Sequence, residues 1–214
     1  MEIVESQSGQ PQPRRMSAER RREHLLDMAA SIILNEGFEA LTMEGVSERA
    51  GVSKGLGYAY FENADDLALA LYDREVSEVY ERIERESMRH DSYEQRVRQA
   101  VRTYFDLVAT RGVLLAVLQT RLSGRKGRRT RRERLHRFIG FWADQIQQEF
   151  GAPRPVAESI AAATLSASDT FARGWAAHRL KRREIERVCS DFLLGAARGS
   201  LGTPAAQSNH ARKK

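Results

Sequence analysis

An all-α fold of about nine helices is predicted by three features of the sequence. Apolar residues recur every three or four positions along most of the 214 residues. This is the spacing of one helix face, whereas the alternation typical of strands is missing. Glycine and helix-capping residues stand where these periodic stretches begin and end. Hydrophobic residues make up 41% of the chain, which is enough for a core. We expect an N-terminal three-helix head followed by a C-terminal helical bundle.

The first predicted helix begins at Ser17, a suitable N-cap, and runs to about Glu36, where Gly37 ends it. Its apolar residues recur at the spacing of one buried face, and they are Leu25, Leu26, Ala29, Ile32 and Ile33. Three helices of the head, residues 17–62, would share the small core to which this face contributes.

Residues 1–16 come before this helix and are polar, which predicts a flexible arm. Basic residues end the arm and open the helix, and they are Arg14, Arg15, Arg20, Arg21 and Arg22. Two interpretations fit them. They form a solvated basic start, or they lie along the phosphates or in the minor groove of a nucleic acid.

Residues 42–61 predict two short helices joined by a tight turn. Thr42 can cap the first helix and Ser53 the second, while Gly51 tolerates the positive φ required between them. The residues expected to pack inward are Met43, Val46, Ala50, Leu56, Tyr60 and Phe61. Such a pair is a helix-turn-helix, whose second helix has the size to enter the major groove of DNA.

The run from about Arg20 to Glu81 resembles the DNA-binding domain of the TetR family of bacterial transcriptional regulators. The resemblance rests on four motifs in order, namely Asn35-Glu36-Gly37-Phe38, Leu41-Thr42-Met43, Glu48-Arg49-Ala50-Gly51-Val52-Ser53-Lys54-Gly55 and Tyr58-Ala59-Tyr60-Phe61. We expect the residues that hold phosphates and orient the recognition helix to be Thr42, Ser53, Lys54, Tyr58 and Tyr60. The residues expected nearest to the bases are Gly55, Leu56 and Ala59.

The sequence departs from the family pattern in two places. The family's Lys after the recognition helix, which contacts phosphate, is replaced by Ala64 and two acidic residues. Within that helix, Leu56 and Gly57 replace the usual Thr-Leu. Gly55 and Gly57 together cost about 2 kcal/mol of helix propensity relative to Ala. We expect Leu56 to pack inward or to meet a thymine methyl, and Gly57 to allow the backbone to approach DNA closely.

Residues 63–90 predict a long connecting helix. Asn63 and Asp66 resemble a capping box at its start. Its buried stripe is expected to comprise Leu67, Leu71, Val76, Val79 and Ile83. The family resemblance implies that movement of this helix changes the spacing between the two heads of a dimer.

Residues 91–201 predict a bundle of longer amphipathic helices for effector binding and dimerisation. The first would cover residues 93–110 and stop at Gly112, followed by a short apolar helix over residues 113–122. Further helices would end at Gly151 and cover residues 156–178 and 182–200. Residues 202–214 would form a disordered tail.

The last two helices are expected to form a dimer interface. The first has two apolar faces and the second has apolar residues at near-heptad spacing, so two copies would make a four-helix bundle across a dyad. The residues expected there are Ile160, Ala163, Ala167, Ile185, Cys189, Phe192, Leu193 and Ala196. The resemblance implies the same interface.

Aromatic residues of this second domain either line a ligand pocket or fill the core. The candidate pocket residues are Tyr104, Phe105, Leu118, Phe138, Trp142, Asp169, Phe171 and Trp175. Asp169 would contact a polar ligand group, or it would pair with Arg173 four residues later. The resemblance implies a small-molecule effector in this domain.

Enzyme and metal chemistry are not predicted. The five His residues and the single Cys189 show none of the spacings of a zinc site, a nucleophile elbow or a phosphate loop. We therefore expect no cofactor, no metal site and no catalytic residue. A lone Cys, no signal peptide and no apolar run of membrane-spanning length favour the cytoplasm.

The charge balance favours an anionic partner without naming it. The chain carries a formal net charge of +6, and its densest basic cluster spans residues 121–137. That cluster is a solvated surface, an additional phosphate contact, or an attractor for an anionic ligand such as an acyl-CoA or a phospholipid.

These features together predict a homodimeric, sequence-specific transcriptional regulator that binds near-palindromic double-stranded DNA. Repression relieved by a small apolar or amphipathic ligand is the expected mode. The alternatives are a ligand-independent architectural DNA-binding protein and, from another class, a lipid carrier. The sequence leaves open the effector, the operator, the regulated genes and the sign of regulation.

Overall fold

The computed structural model describes residues 16–122, 128–178 and 181–202, which are helical apart from short connections. The elements in chain order are α1 (Ala18–Glu36), a 3-10 turn (Phe38–Ala40), α2 (Met43–Arg49), α3 (Lys54–Tyr60), α4 (Ala64–Ser87), α5 (Tyr93–Arg121), α6 (Arg128–Phe150), α7 (Arg154–His178) and α8 (Arg182–Leu201). No strand occurs within these ranges. The predicted all-α class is confirmed.

The chain divides into two compact units, Met1–Leu67 and Ala68–Lys214. The predicted arm and tail lie outside the described residues, except for residues 16 and 202. Residues 123–127 of the basic cluster also lie outside them. Within the described ranges, no helix combines the length and the apolar character that crossing a membrane requires.

The helix starts of the first unit follow the predicted caps. The Ser17 hydroxyl accepts a hydrogen bond from the backbone N–H of Arg20 at 3.3 Å, and the Thr42 hydroxyl accepts one from Gly45 at 3.1 Å. Gly37 has φ of 91° and Gly51 has φ of 65°, a region that favours glycine, so these residues end α1 and α2 as expected. Backbone chemistry that can be read locally therefore sets the boundaries of this unit.

The core of the first unit consists of the apolar stripe of α1 and inward residues of the two short helices. All five predicted residues of α1 are buried, as are Met43 and Val46 of α2 and Phe61 after α3. The guanidinium of Arg22 lies 5.2 Å from the centre of the Phe61 ring and covers this core from outside. Leu56 and Tyr60 are only half-buried, so α3 packs less deeply than its sequence suggests.

The predicted break at Gly112 is wrong. A single helix, α5, runs through it from Tyr93 to Arg121 over 29 residues. Glycine inside a helix costs about 1 kcal/mol relative to Ala. That cost is exceeded by tertiary burial on both sides, because Leu107, Leu114 and Leu118 of the same helix are buried.

The second unit has a core in which α5 packs with α6, α7 and α8. Its fully buried side chains include Phe105 of α5, Ile146 of α6 and Cys189 of α8. A smaller cluster joins Val79 and Ile83 of α4 to Phe138 of α6. Long helices that share one interior in this way can enclose a ligand between them.

Glu75 is a charged residue outside the buried stripe predicted for α4, yet it is only 3% exposed. Its carboxylate accepts hydrogen bonds from Arg74 at 2.9 Å and from Arg111 of α5 at 2.6 Å. A buried carboxylate is tolerated when it is paired in this way. The pair therefore ties α4 to α5 within the second unit.

Candidate functional site

The first candidate site is the exposed face of α3. Ser53, Lys54, Gly55, Tyr58 and Ala59 are exposed, and the large Tyr58 ring keeps 43% of its surface in solvent. Among the other residues predicted to contact DNA, Thr42 is exposed, whereas Leu56 and Tyr60 are half-buried. The exposed residues lie at i, i+1, i+4 and i+5 along α3, so they share one side of the helix.

Two caps orient this face. The Ser53 hydroxyl accepts a hydrogen bond from the backbone N–H of Leu56 at 3.3 Å, which fixes the first turn of α3. Thr42 does the same for α2. Each capping hydroxyl still has a hydrogen to donate, and donation to a phosphate oxygen is a common use of Ser and Thr at such positions.

Lys54 has a carboxylate partner of its own. Its ammonium group forms an ion pair with Glu44 of α2, and it lies 5.9 Å from the centre of the Tyr58 ring. The hydrogen bond that Lys54 donates to the Glu44 carboxylate raises the pKa of Lys54, and the same bond lowers the pKa of Glu44. Both side chains are more than half exposed, so water screens the pair and its partner can be exchanged.

The structure corrects the role expected for Gly57. Gly57 is buried and faces α2 rather than the exposed face of α3, because a Cβ at this position would lie 2.3 Å from the Ser47 hydroxyl oxygen. Ser47 is itself 2% exposed, and its hydroxyl oxygen has no hydrogen-bond partner among the described residues. The close approach that glycine permits here is therefore between the two helices of the motif. Gly55, in contrast, faces open space.

The basic residues at the start of α1 are only partly available for an external anion. Arg21 donates a hydrogen bond to the backbone oxygen of Met16 at 3.2 Å, and Arg22 covers Phe61 as described above. Arg20 is exposed. Arg14 and Arg15 lie outside the described residues, so the contribution of the arm stays a prediction.

The second candidate site is a cavity inside the second unit. It encloses about 630 Å³ including its open mouth, and about 70 Å³ of this lies far enough from the walls to hold the centre of a water molecule. The cavity is therefore narrow. Its wall is largely apolar and is formed by Tyr80, Ile83, Tyr93, Val97, Ala100, Val101, Tyr104, Phe138, Trp142, Ile146, Ala161, Thr164, Leu165, Ser168 and Leu193.

Three tyrosines supply most of the hydrogen-bonding capacity of this wall. Burial raises the pKa of Tyr80 and of Tyr93 to about 12, so both hydroxyls stay protonated. Neither hydroxyl forms a hydrogen bond with the described residues. The third, Tyr104, donates a hydrogen bond to the Asp169 carboxylate at 3.1 Å. The pKa of Tyr104 is raised mainly by burial and, to a smaller extent, by the negative charge of Asp169. Tyr80 and Tyr93 thus leave two donors for a ligand in an apolar space.

The cavity includes only some of the residues predicted for a pocket. Tyr104, Phe138 and Trp142 line it, but Phe105 and Leu118 are fully buried beside it and pack in the core. Phe171 and Trp175 also pack against the core rather than line the cavity. Asp169 lies behind Tyr104 and pairs with Arg173 at 2.5 Å. Ion pairing and orientation of Tyr104 account for this carboxylate.

Sequence reasoning missed Tyr80 and Tyr93 as wall residues. Each lies within an apolar stripe, Tyr80 next to Val79 and Tyr93 four residues before Val97. A tyrosine within an apolar stripe could have indicated a cavity wall, because its buried hydroxyl normally needs a hydrogen-bond partner and a ligand can supply one.

The residues predicted for the dimer interface separate into two groups. Phe192 is 53% exposed and Ala163 and Ala196 are exposed, whereas Ile160, Ala167 and Ile185 are half-buried. Cys189 and Leu193 are instead buried in the core of their own chain, so they have almost no surface for a second copy to cover. Burial also raises the pKa of the Cys189 thiol to about 11, which keeps it neutral. The exposed side of α8 therefore carries Phe192 and Ala196 and does not include Cys189 or Leu193.

Metal binding has no support within the described ranges, since no group of three or more His, Cys, Asp or Glu side chains is arranged to hold an ion there. What these ranges do contain is a capped helix-turn-helix in one unit and a narrow apolar cavity in the other. This combination defines a class of helical proteins with a nucleic-acid-binding motif and a separate ligand-sized space.

Comparison with known proteins finds a family match in the region of the first candidate site. Residues 25–71 match the family model described as bacterial regulatory proteins, tetR family. The matched residues contain α2, α3 and most of α1, which are the elements of the first candidate site. Over these residues, the resemblance to the TetR family that the sequence motifs indicated is confirmed.

Similar proteins are regulators and not enzymes, in agreement with the sequence. The HTH-type transcriptional activator FasR of Mycolicibacterium smegmatis is 31% identical over 94 residues, which are 44% of this chain and 43% of that protein. The fatty acid metabolism regulator protein of Bacillus subtilis is 24% identical over 98 residues, or 46% of this chain and 50% of that protein. The chain thus spans about half the length of each.

A solved structure extends the likeness of fold to nearly the whole chain. The crystal structure of the transcriptional regulator FadR from Bacillus subtilis in complex with stearoyl-CoA matches with a TM-score of 0.63 and 19% identity. The match covers 80% of this chain and 96% of that one. At this identity the likeness concerns the fold alone.

Proposed function

We propose that this protein is a sequence-specific DNA-binding transcriptional regulator that inserts α3 into the major groove. The exposed side of α3, set by the Ser53 and Thr42 caps, is the observation that carries the proposal. Tyr58 and Lys54 would contact phosphates, and Gly55 and Ala59 would let the helix come close to the base edges. Leu56, half-buried, keeps some surface for a thymine methyl.

Selection of bound fragments from genomic DNA, followed by affinity measurements on the best fragment, tests this proposal. Tyr58→Ala should weaken binding at least tenfold, because it removes a phosphate contact and the ring that orients Lys54. Leu34→Ala is the matched control, since Leu34 is a large exposed residue of the same unit on α1. Equal affinity of Tyr58→Ala and the parent protein would exclude α3 as the recognition helix. Equal affinity for scrambled duplexes would instead favour an architectural protein.

We also propose that the cavity binds a long acyl chain. It extends along α5 from Tyr93 to Tyr104, and eleven residues at 1.5 Å each give a length of about 16 Å. A narrow apolar tunnel of this length suits an extended hydrocarbon better than a bulky ring system. The name of a similar protein points the same way, because the fatty acid metabolism regulator of Bacillus subtilis, FadR, was solved in complex with stearoyl-CoA.

Titration with stearoyl-CoA, with coenzyme A alone as a reference, tests the acyl proposal. Ala100→Leu fills part of the cavity and should weaken stearoyl-CoA binding at least tenfold, whereas Ala109→Leu, on the exposed side of α5, should not. If coenzyme A alone binds as tightly, the cavity does not hold the acyl chain. A ligand that binds without changing DNA affinity would favour a lipid carrier.

Regulation is proposed to be repression by a homodimer, relieved when the effector binds one spacing of the DNA-reading heads better than another. The exposed stripe of Val188, Phe192 and Ala196 on α8 supports the dimer. Phe192→Glu should produce monomers in sedimentation experiments, while Val113→Glu, at a 72% exposed position on α5, should not. A reporter gene behind the selected operator decides the sign, since activation, as in the name of FasR, would replace repression.

A further inference from the structure

A second concave site lies on the surface of the second unit, between α5 and α8. The two helices pack against each other in the core, and a cleft of about 970 Å³, open to solvent, lies alongside them on the surface. Four of the six residues that line it are arginines, and the full set is Arg98, Arg102, Arg183, Glu186, Arg187 and Ser190. The site differs from the acyl cavity, because Arg98 and Arg102 point away from the cavity-lining Val97 and Val101 of the same helix.

Two of these arginines carry uncompensated charge. Arg98 pairs with Glu94 and with Asp191, each at 3.0 Å, and Arg187 pairs with Asp191 at 3.3 Å. Arg102 and Arg183 have no ion-pair or hydrogen-bond partner among the described residues. Glu186, the one acidic residue of the lining, forms an ion pair with Arg182 at 2.6 Å. Like charges that face one cleft repel each other, so the arrangement favours an anion between them.

The cleft also avoids the surface proposed for dimerisation. At 3.6 residues per turn, Arg183, Arg187 and Ser190 lie on one side of α8. Val188 and Phe192 project more than a quarter-turn away from that side. A second copy seated on Phe192 would therefore leave the arginines accessible.

We propose that this cleft binds a small anion that carries two or more phosphate groups, such as a nucleoside diphosphate. The planar guanidinium donates two parallel hydrogen bonds to a phosphate, and Arg102 and Arg183 are both free to do so. Only six residues line the cleft, which suits a small molecule better than an extended polyanion such as DNA. The inference depends neither on DNA binding nor on the acyl effector.

Isothermal titration of the full chain with ADP and with inorganic pyrophosphate at low salt tests the proposal. Binding of either probe should weaken at least tenfold in the double variant Arg102→Gln/Arg183→Gln. The matched control is Arg82→Gln/Arg85→Gln, which removes the same charge from exposed positions of α4 and should leave binding unchanged. Pyrophosphate binding as tight as ADP binding would identify the phosphates alone as the recognised group, and tighter ADP binding would add the nucleoside.

Three results would overturn the proposal. The first is the absence of binding of both probes at millimolar concentration in low salt. The second is equal weakening in the cleft variant and in the α4 control, because this would show a general charge effect. The third is citrate binding as tight as that of ADP, since any multivalent anion would then suffice. Circular dichroism and thermal unfolding of both variants ensure that a loss of binding is not a loss of fold.

Discussion

The exposed face of α3 and the cavity of the second unit are built in different ways. The first is formed by residues close together in sequence, and local hydrogen bonds from Ser53 and Thr42 set its orientation. The cavity takes its wall from α4, α5, α6, α7 and α8, and the residues that face it are separated by more than a hundred positions. A local surface depends on caps and turns, whereas a cavity depends on how five helices pack.

The largest expected effect tests whether packing holds the cavity in place. Phe105 is fully buried behind the cavity, with its ring centre 5.5 Å from that of Trp175. Phe105→Ala should lower the free energy of unfolding of the second unit by about 3–5 kcal/mol, the usual cost of deleting a buried ring. Val113→Ala, at an exposed position of the same helix, should change it by less than about 0.5 kcal/mol. Chemical denaturation followed by circular dichroism measures both, and similar losses in the two variants would contradict this picture.

The cavity should also make the second unit sensitive to alkaline pH. The pKa of Tyr80 and of Tyr93 is raised to about 12 by burial, above the ordinary tyrosine value of 10.0 that applies in the unfolded chain. The stabilising contribution is complete below pH 10 and is lost as the pH rises towards 12, because only the unfolded state ionises in that interval. Each tyrosine should account for about 3 kcal/mol over this range. In Tyr80→Phe and Tyr93→Phe, the free energy of unfolding should fall less steeply between pH 10 and pH 12 than in the parent protein. An unchanged pH dependence would exclude both tyrosines as the source.

A substitution at Gly57 tests the local construction of the helix-turn-helix. Gly57→Ala places a methyl group against the Ser47 hydroxyl and should destabilise the first unit by about 1–3 kcal/mol through overpacking. Ser47→Ala should restore most of this loss, because the next Ser47 atom is 3.6 Å away, an ordinary contact distance. Gly55→Ala, which meets open space, is the control. A double variant as unstable as Gly57→Ala alone would show that the strain has another source.

The smallest expected change in the free energy of unfolding concerns the hydrogen bond between Tyr104 of the cavity wall and Asp169 behind it. Tyr104→Phe removes the hydrogen bond to Asp169 and should cost about 1 kcal/mol. Because Asp169 keeps its ion pair with Arg173, we expect little further change in the fold. Thermal unfolding measures the loss. A destabilisation as large as that of Phe105→Ala would mean that this hydrogen bond supports the whole cavity.

Sequence patterns predicted the elements whose causes are local. Ser17, Thr42 and Ser53 cap helices as expected, and Gly37 and Gly51 adopt positive φ at helix ends. The predicted helix break at Gly112 was wrong because the helix-propensity cost of one glycine is small compared with the free energy gained by burying the neighbouring apolar residues. The pairing of a hydroxyl or a carboxylate is likewise not visible in a helix pattern.

The inward placement of Glu75 illustrates this last point. Its partner Arg111 is 36 residues away, and only the packing of α4 on α5 brings the two together. The same reasoning applies to Gly57, whose neighbour Ser47 lies across the turn on α2. Residue spacing identifies which face of a helix is buried, but it does not identify what that face meets.

Under the proposed function, the ion pair between Lys54 and Glu44 would affect how strictly the protein discriminates between DNA sequences. A lysine that already has a carboxylate partner gains little from the uniform field of any DNA, since it must exchange one anion for another. Only a duplex on which the neighbouring contacts of α3 also form would complete that exchange. Under the proposed function, Glu44 would therefore weaken binding to unrelated sequences, and removing its charge would strengthen binding to all sequences and reduce the preference for one.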